Sequence, residues 1–296
     1  MNSCISWIGG KKALRNEIVI RFPLEYGRYI EVFGGGGWVL FHKPPRNDFE
    51  VYNDFNPNLV NLFRCVRDMP LELIDELTYT LNSRLDFMHI QNVLKEQANI
   101  PDVKRAAYFY QVIRQSYASG LDSFASQPHN MWNNFPLIHR ASERLQKVII
   151  ENKDFESLIR QYDRPDAFHY IDPPYFESEG VYPGMRFTID DHERLAKILI
   201  GMNGMFMLSY NNHPVIRELY SKPGIMIETT SRLSNIAQRY EGGKQYAELL
   251  ISNYDTTQQA RSNMQLTLYD FDSDGLIPEA EVKRILQERK IIYGEV

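Results

Sequence analysis

The sequence predicts an α/β fold that is interrupted by a helical segment, and three observations lead to this prediction. An apolar strand in the segment 27–59 runs into four glycines and a helix, and a second strand follows that ends in Asn53-Asp54. This order of strand, glycine turn, helix, strand and acid begins a nucleotide-type βαβ unit. Residues 71–147 are then polar and helix-like. Strand-like apolar patterns return at 145–155, 168–175, 204–212 and 244–255.

The boundaries of several helices follow from local signals. The stretch WVLF (38–41) begins a helix directly after the glycines, and Pro57 lies in the first turn of the helix after the second strand. A capping box formed by Thr188 and Asp191 predicts a helix from about His192 to Ile200. We interpret His192 and His213 as surface or capping residues, because no set of metal ligands accompanies them.

The composition is that of a globular protein without membrane or metal-binding signals. A chain of 296 residues with 43% hydrophobic residues can form one large or two ordinary domains. Cys4 and Cys65 offer no metal spacing and no disulfide framework, so we expect a cytoplasmic location and no metal. The N-terminus lacks the apolar region of a signal peptide, and no run of 18 apolar residues exists to span a membrane. The net charge of −5 means that any nucleic-acid contact requires a local basic surface.

The glycines at 34–37 and the acid after the second strand predict a nucleoside site. Consecutive glycines let the backbone turn sharply and approach a ligand closely. A dinucleotide fingerprint that began at Gly35 and Gly37 would need glycine or alanine where Leu40 stands, so the pattern favours a nucleoside over a pyrophosphate. Asp54 is placed to accept hydrogen bonds from both ribose hydroxyls. At the N-terminus, WIGGKK (7–12) offers a ring, a tight turn and a cation for a ligand that carries a carboxylate.

The stretch FHYIDPPYF (168–176) places an acid and an aromatic ring on a rigid corner. Proline fixes φ and has no N–H, so Pro173 and Pro174 end the strand and hold the corner rigid. The carboxylate of Asp172 and the backbone carbonyl of Pro173 can both accept hydrogens from an exocyclic base amine, which frees the lone pair of its nitrogen for attack. Tyr175 offers a flat face for a base that has been flipped out of a duplex. These are the components that amine methylation requires.

In the segments described above, and in further segments up to about Asp255, the chain resembles the Dam-type DNA adenine-N6 methyltransferases. The resemblance implies a Rossmann-like methyltransferase fold that uses S-adenosyl-L-methionine and carries an inserted helical target-recognition domain. It divides the chain into a catalytic domain (1–65 and 148–255), the insert (66–147) and a tail (256–296), and we expect a monomer that acts on double-stranded DNA. The matching blocks, in the order of the family, are WIGGK, EVFGGGGWV, VYNDFNPNL, KDFESLI, FHYIDPPYF, FTIDDHERLA, FMLSYNN and AELLISNYD.

The resemblance also implies which residues form the site. The family usually has Glu-Pro-Phe before its glycines, and here Val32 replaces the proline while Glu31 and Phe33 remain. The catalytic residues would be Asp172, Pro173, Pro174 and Tyr175. The positions implied for cofactor binding are Trp7, Lys11, Glu31, Phe33, Gly35, Gly37, Asp54, Asp154, Phe155 and Asp172.

The insert is the part of the chain that we expect to read DNA. Residues 101–150 hold six Lys or Arg against three acids, with aromatic residues interleaved. The aromatic residues at 108–110 lie on a predicted helix and are expected in the core. Family members that read GATC carry an Arg-x-Asn and Gly-x-Phe-Asn pattern, which the stretch 114–134 lacks, so we expect a different adenine-containing site or relaxed specificity. The residues predicted to contact DNA are Arg114, Tyr117, Phe124, Trp132 and Arg140.

Several alternatives remain open at this point. Cytosine-N4 or RNA-adenine methylation would use the same corner, and a silent DNA-binding homologue is disfavoured by the intact Asp172 and Tyr175. The stretch DFDSDGLIPEAE (270–281) has the spacing of an EF-hand loop, which would suit a calcium-regulated interaction protein. It lacks a clear incoming helix and a second hand, so we do not expect calcium to bind there.

Overall fold

The computed structural model describes residues 1–45, 49–96, 99–126, 130–177, 187–233 and 245–257. The stretch with EF-hand spacing at 270–281 lies outside the described residues, as does nearly all of the predicted tail at 256–296. None of the helices within the described ranges is long and apolar enough to cross a membrane.

The described residues form an alternating arrangement of helices and strands. The helices are α1 Arg15–Val19, α2 Trp38–His42, α3 Pro57–Asp68, α4 Pro70–Thr78, α5 Arg84–Lys95, α6 Asp102–Gln115, α7 Phe135–Leu145, α8 Phe155–Tyr162, α9 Ile189–Ile200 and α10 Pro214–Tyr220. The strands are β1 Arg28–Glu31, β2 Phe49–Asn53, β3 Val148–Glu151, β4 Ala167–Ile171, β5 Met205–Asn211, β6 Met226–Leu233 and β7 Gln245–Ser252.

The strands form one sheet in the order β3-β2-β1-β4-β5-β7-β6. Strands β1 to β5 pair in parallel, whereas β7 pairs antiparallel with both β5 and β6. The direction of winding reverses between β1 and β4, and ligands bind at such switch points, beyond the carboxyl ends of the strands. The predicted Rossmann-like α/β fold is confirmed, and its topology locates a ligand site next to the ends of β1 and β4.

Each face of the sheet packs against its own set of helices, because successive side chains of a strand point to opposite faces. On β1, Tyr29 belongs to a core with α1, α2, α3 and the helices α4, α6 and α7. Its neighbour Ile30 belongs to a second core with α8, α9 and α10. The two layers cover the strands on both faces, as expected for parallel strands.

Of the helices between β2 and β3, α3, α4, α6 and α7 share a core with the sheet, whereas α5 packs on Val112 of α6 in a small separate cluster. Helix α3 crosses the boundary that we predicted between residues 65 and 66, and the buried side chains of α3 pack in the same cluster as Tyr110 and Phe109 of α6. The core position expected for the aromatic residues 108–110 is therefore confirmed for Phe109 and Tyr110, whereas Tyr108 is only partly buried. The assignment of 66–147 to target recognition stays a prediction.

Two predictions about helix α9 have opposite outcomes. The capping box of Thr188 and Asp191 is present, and the helix begins at Ile189. The interpretation of His192 as a surface or capping residue is wrong, because this residue is 1% exposed and its Nδ1 contacts the hydroxyl of Tyr210. His192 lies on the buried face of the amphipathic helix. By contrast, His213 caps α10, where its Nδ1 accepts a hydrogen bond from the N–H of residue 215 at 3.2 Å.

Candidate active site

A cavity of about 260 Å³ lies at the carboxyl ends of β1, β2 and β4, where the topology predicts a ligand. Its walls come from the N-terminal segment, the glycine loop after β1, the turn after β2 and the corner after β4. The predicted cofactor residues that line this cavity are Trp7, Lys11, Glu31, Phe33, Gly35, Asp54 and Asp172.

The glycine loop after β1 passes so close to two aromatic rings that a side chain would not fit. The N–H of Gly34 donates to the carbonyl of Asn53 at 2.7 Å, and a Cβ on Gly34 would lie 2.1 Å from the ring of Tyr52. Gly35 has a φ of 50°, and a Cβ there would lie 2.9 Å from the ring of Trp7. The loop can therefore bring its backbone directly to the cavity wall.

Asp54 presents a buried carboxylate at the end of β2. Its Oδ2 accepts a hydrogen bond from the N–H of Gly35 at 2.9 Å, and its Oδ1 accepts one from the N–H of Asn56 at 2.8 Å. Burial raises the pKa of Asp54 to about 6, against the effect of these backbone hydrogen bonds. The acid is thus fixed in direction and ionised at neutral pH, which suits an acceptor of hydroxyl hydrogens.

Lys11 and Asp172 form an ion pair across the cavity wall, with 2.5 Å between Nζ and Oδ1. Lys11 also donates to the carbonyl of Gly9 at 3.2 Å, and its Nζ lies 4.7 Å from the ring centroid of Tyr175. The lysine is 5% exposed. One buried cation therefore joins the N-terminal segment to both the acid and the ring of the corner.

The corner after β4 begins where the strand ends at Ile171, just before the two prolines. Pro173 and Pro174 are buried, and Pro174 lines the cavity. Tyr175 is half-buried, and its hydroxyl donates to Oε2 of Glu248 at 2.8 Å. The corner thus places Asp172 and Pro174 in the cavity wall, with the ring of Tyr175 directly after them.

The remaining predicted residues of the glycine segment have distinct positions. Glu31 is buried in the cavity wall, where burial raises its pKa to about 8, and the hydroxyl of Tyr29 donates to its Oε2 at 2.6 Å. Phe33 lines the cavity, but Gly37 does not. Gly37 precedes the first turn of α2 with a φ of 66°. Its role is in the local turn.

A second cavity of about 160 Å³ adjoins the first, and Phe33 and Phe55 line both. The predicted cofactor residues Asp154 and Phe155 lie here. Asp154 caps α8 through its Oδ1, and both of its oxygens accept hydrogen bonds from Arg194, at 3.0 and 2.9 Å. The sequence did not point to Arg194, although it follows the predicted capping box by one helical turn.

The family model described as D12 class N6 adenine-specific DNA methyltransferase matches residues 7–239. The chain belongs to this family. The matched range includes Trp7, the glycine loop, Asp54 and the corner, so the residues that form the cavity lie within it. The activity predicted from the sequence, methylation of adenine N6 in DNA, is confirmed as the activity of the family. Membership in a methyltransferase family also implies the use of S-adenosylmethionine.

Curated relatives of this D12 class chain agree with the family. It is 30% identical to the type II methyltransferase M1.LlaDCHI of Lactococcus lactis, over 84% of this chain and 94% of the relative. It is 27% identical to the type II methyltransferase M.MjaIII of Methanocaldococcus jannaschii, over 84% and 98%. It is 26% identical to the retron Ec67 DNA adenine methylase of Escherichia coli, over 73% and 76%.

Of the five residues predicted to contact DNA, three are exposed in this D12 class chain. Tyr117 is 50% exposed, Trp132 is 59% exposed, and Arg140 lies on the outer face of α7. Arg114 is half-buried and donates to the side-chain oxygen of Asn134. The exposed residues are available to a nucleic acid, whereas Arg114 has an internal partner.

Phe124 closes a small hairpin rather than facing solvent. It forms an antiparallel bridge with Ser116, and its ring packs edge-on against Phe87 with 5.5 Å between centroids. At the tip of the hairpin, the hydroxyls of Ser119 and Ser6 are 2.7 Å apart. The hairpin that contains Tyr117 therefore contacts the N-terminal segment that contributes Trp7 and Lys11 to the cavity.

Proposed function

We propose that the protein transfers a methyl group from S-adenosylmethionine to N6 of an adenine flipped out of double-stranded DNA, with Asp172 and Tyr175 acting on the base. The observation that carries the proposal is that Asp172 and Pro174 of the corner line the cavity that contains Asp54 and the glycine loop, and Tyr175 directly follows them in the chain. A nucleoside-type site and an amine-activating corner are thus adjacent.

The chemical groups that line the cavity match those that S-adenosylmethionine would require. Asp54 offers an ionised acceptor for ribose hydroxyls, and the loop at Gly35 lets the backbone approach the ligand. Lys11 and the ring of Trp7 lie where the carboxylate-bearing end of the ligand is expected. When bound, S-adenosylmethionine supplies the electrophilic methyl group.

The second cavity suits the adenine ring of the same cofactor. Phe33 and Phe155 face it with ring centroids 5.6 Å apart, so a flat base would find aromatic walls. Arg194 fixes the carboxylate of Asp154 at the rim. We propose that Asp154 and Phe155 bind the cofactor base while Asp54 binds its sugar.

At the corner, each residue has a separate role in activating the target amine. The carboxylate of Asp172, oriented by Lys11, accepts a hydrogen bond from one amine N–H, and the carbonyl of Pro173 accepts one from the other. The lone pair of the amine nitrogen is then available for attack, because it is less delocalised into the adenine ring. N6 loses one of these two protons after it has been methylated. Pro174 keeps the two acceptors fixed, and fixed acceptors need no reorganisation as the charge develops. Tyr175 stacks on the flipped base.

The exposed side of the helical insert is the proposed DNA surface. Arg140 would contact phosphates, and Tyr117 and Trp132 would stack on or wedge between bases. Arg114 and Phe124 would support this surface from inside.

Two of the relatives are named type II methyltransferases, which supports a role of this protein in restriction–modification. In such a role the protein would act on DNA in the cytoplasm.

Transfer of tritiated methyl from S-adenosylmethionine to unmethylated DNA tests the proposed function. We expect radioactivity in DNA, and digestion to nucleosides should recover it as N6-methyladenine. Label in N4-methylcytosine, label only in RNA, or no transfer would each contradict the proposal. Because the stretch 114–134 lacks the pattern of GATC readers, single-molecule sequencing of the product should find methylated adenines outside GATC.

Cofactor binding should depend on pH through Asp54. Since burial raises the pKa of Asp54 to about 6, its ionised form is lost as the pH falls through that value. We expect the Kd for S-adenosylmethionine to rise about tenfold between about pH 7 and about pH 5. Calorimetric titration of the protein without DNA measures this change.

The matched variant for this test is Asp54→Asn, which keeps the size of the side chain and cannot titrate. It should bind more weakly at neutral pH and show little change in Kd over the same range. An equally steep pH dependence in the Asn variant would assign the titration to another group.

A further inference from the structure

The hydroxyl of Tyr175 is bonded to a buried acid that belongs to another part of the chain. It donates to Oε2 of Glu248 at 2.8 Å, and Glu248 is 1% exposed in the middle of β7. A buried carboxylate is costly unless hydrogen bonds compensate its desolvation. A buried acid directly before the buried Leu249 and Leu250 therefore calls for a specific explanation, and stacking by Tyr175 alone gives none.

A second hydrogen bond from the same place holds the next residue of the corner. Glu248 is the register partner of Asn211 across β5 and β7. The amide of Asn211 donates to the carbonyl of Phe176 at 3.0 Å. One pair of facing residues thus binds the Tyr175 side chain and the backbone that directly follows it.

The surroundings keep the phenol of Tyr175 a hydrogen-bond donor. Burial, followed by the charges of Asp172 and Glu248, raises the pKa of Tyr175 well above its ordinary value. Tyr210 packs at 6.0 Å between centroids on one side, and Nζ of Lys11 lies 4.7 Å from the ring centroid. The ring is thereby bounded by neighbours, and its far end is tied to Glu248.

We propose that Glu248 is a positioning residue. It orients the ring of Tyr175 through the tyrosine hydroxyl, and the ring in turn positions the target adenine. The inference rests on the proposed stacking role of Tyr175. A ring held at its far end cannot tilt or rotate freely, so it presents a fixed plane to the base. Orientation fixed in advance lowers the entropic cost of reaching the reactive geometry.

Single-turnover methyl transfer to unmethylated DNA, at saturating S-adenosylmethionine, tests the proposal. Glu248→Leu removes the acceptor and should lower the rate about tenfold, within the range that a stacking contact contributes. Glu248→Gln keeps an acceptor oxygen and should stay within about threefold of the wild type. Tyr175→Phe should match Glu248→Leu, and the double variant should be no slower than Tyr175→Phe alone, because both changes break one interaction.

A matched control separates positioning from general destabilisation. Glu228 lies on β6, next to β7, and pairs at 2.6 Å with Arg21, a residue that does not belong to the corner. Glu228→Leu should lower the melting temperature while the transfer rate stays within about twofold. Affinity for S-adenosylmethionine should be unchanged in Glu248→Leu. Multiplicative effects in the double variant, or a wild-type rate in Glu248→Leu, would overturn the proposal.

Fluorine NMR of the free protein tests the role of Glu248 without measuring methyl transfer, so its result does not depend on the proposed function. With 3-fluorotyrosine at position 175, the fluorine resonance should keep its position and width in Glu248→Gln. In Glu248→Leu it should shift and narrow, because the ring gains motion. Identical spectra in the Leu variant and the wild type would show that Glu248 does not fix Tyr175. If the wild-type protein transfers no methyl to DNA, the proposed function fails, while these spectra still decide whether Glu248 orients the ring.

Discussion

Replacing Asp172 with alanine is expected to lower the rate of methyl transfer about 100- to 1000-fold, the usual effect of losing one preorganised electrostatic contact. The carboxylate is the charged acceptor for the target amine, and without it the lone pair of the nitrogen stays delocalised in the ring. Lys11 would also lose its partner at 2.5 Å. The rate should be measured in single turnovers at saturating cofactor, so that weaker cofactor binding does not contribute.

Two further variants make this prediction specific. Asp172→Asn keeps one acceptor oxygen but loses the charge, so its rate should lie between those of the alanine variant and the wild type. Asp166→Ala removes an exposed acid just before β4 that pairs only loosely with Arg28, at 3.3 Å. Its rate should equal the wild-type rate. Turnover near the wild-type level in Asp172→Ala would rule out the proposed amine activation.

The centre of the site could be predicted from the sequence because its residues follow strands directly. Asp54 comes after β2, the glycines after β1 and Asp172 after β4. The carboxyl ends of parallel strands meet at one edge of a sheet, so local patterns were enough to bring these residues together. The structure places all three on one cavity.

Residues that act across the sheet could not be predicted in the same way. The contact of Glu248 with Tyr175 depends on β7 being antiparallel next to β5, and nothing in the local sequence of either residue specifies that pairing. Strand β6 was missed altogether. The error at His192 was avoidable, because its spacing from Leu195 and Leu199 places it on the apolar face of α9.

Glu50→Ala is expected to lower the free energy of unfolding by about 3–5 kcal/mol, the cost of leaving buried charge without its partner. Glu50 lies in β2 and is 4% exposed. Its Oε1 is 2.5 Å from Nζ of Lys43, a side chain with no exposed surface, and Arg144 donates to both of its oxygens, at 2.5 and 2.8 Å. Removing the acid would leave two cations in the core. Urea unfolding at neutral pH measures the loss.

The exposed pair of Arg67 and Asp68 provides the control for this prediction. Asp68→Ala should cost less than about 1 kcal/mol, because water screens a surface ion pair. If both variants lost the same free energy of unfolding, the buried network around Glu50 would stabilise the protein no more than a surface ion pair does.

The stabilisation from Glu50 should also vanish in acid. Burial alone would raise the pKa of Glu50, but hydrogen bonds from Arg144 and the charge of Lys43 hold it below its ordinary value. For a carboxyl whose pKa is lowered by folding, the stabilisation is present above the unfolded pKa of about 4.5 and is lost as the pH falls through the folded value. The difference in stability between wild type and Glu50→Ala should therefore shrink below about pH 4.5.

The consequence of Glu50→Ala for function follows from where its partners lie. Arg144 belongs to α7, which also carries Arg140 of the proposed DNA surface, and Lys43 directly follows α2. The network therefore connects α7, one of the predicted target-recognition helices, to β2, the strand that ends next to Asp54. In Glu50→Ala, at temperatures where the protein is still folded, affinity for DNA should fall more than affinity for S-adenosylmethionine. Equal losses of both affinities would mean that the network supports the whole fold and not the attachment of these helices.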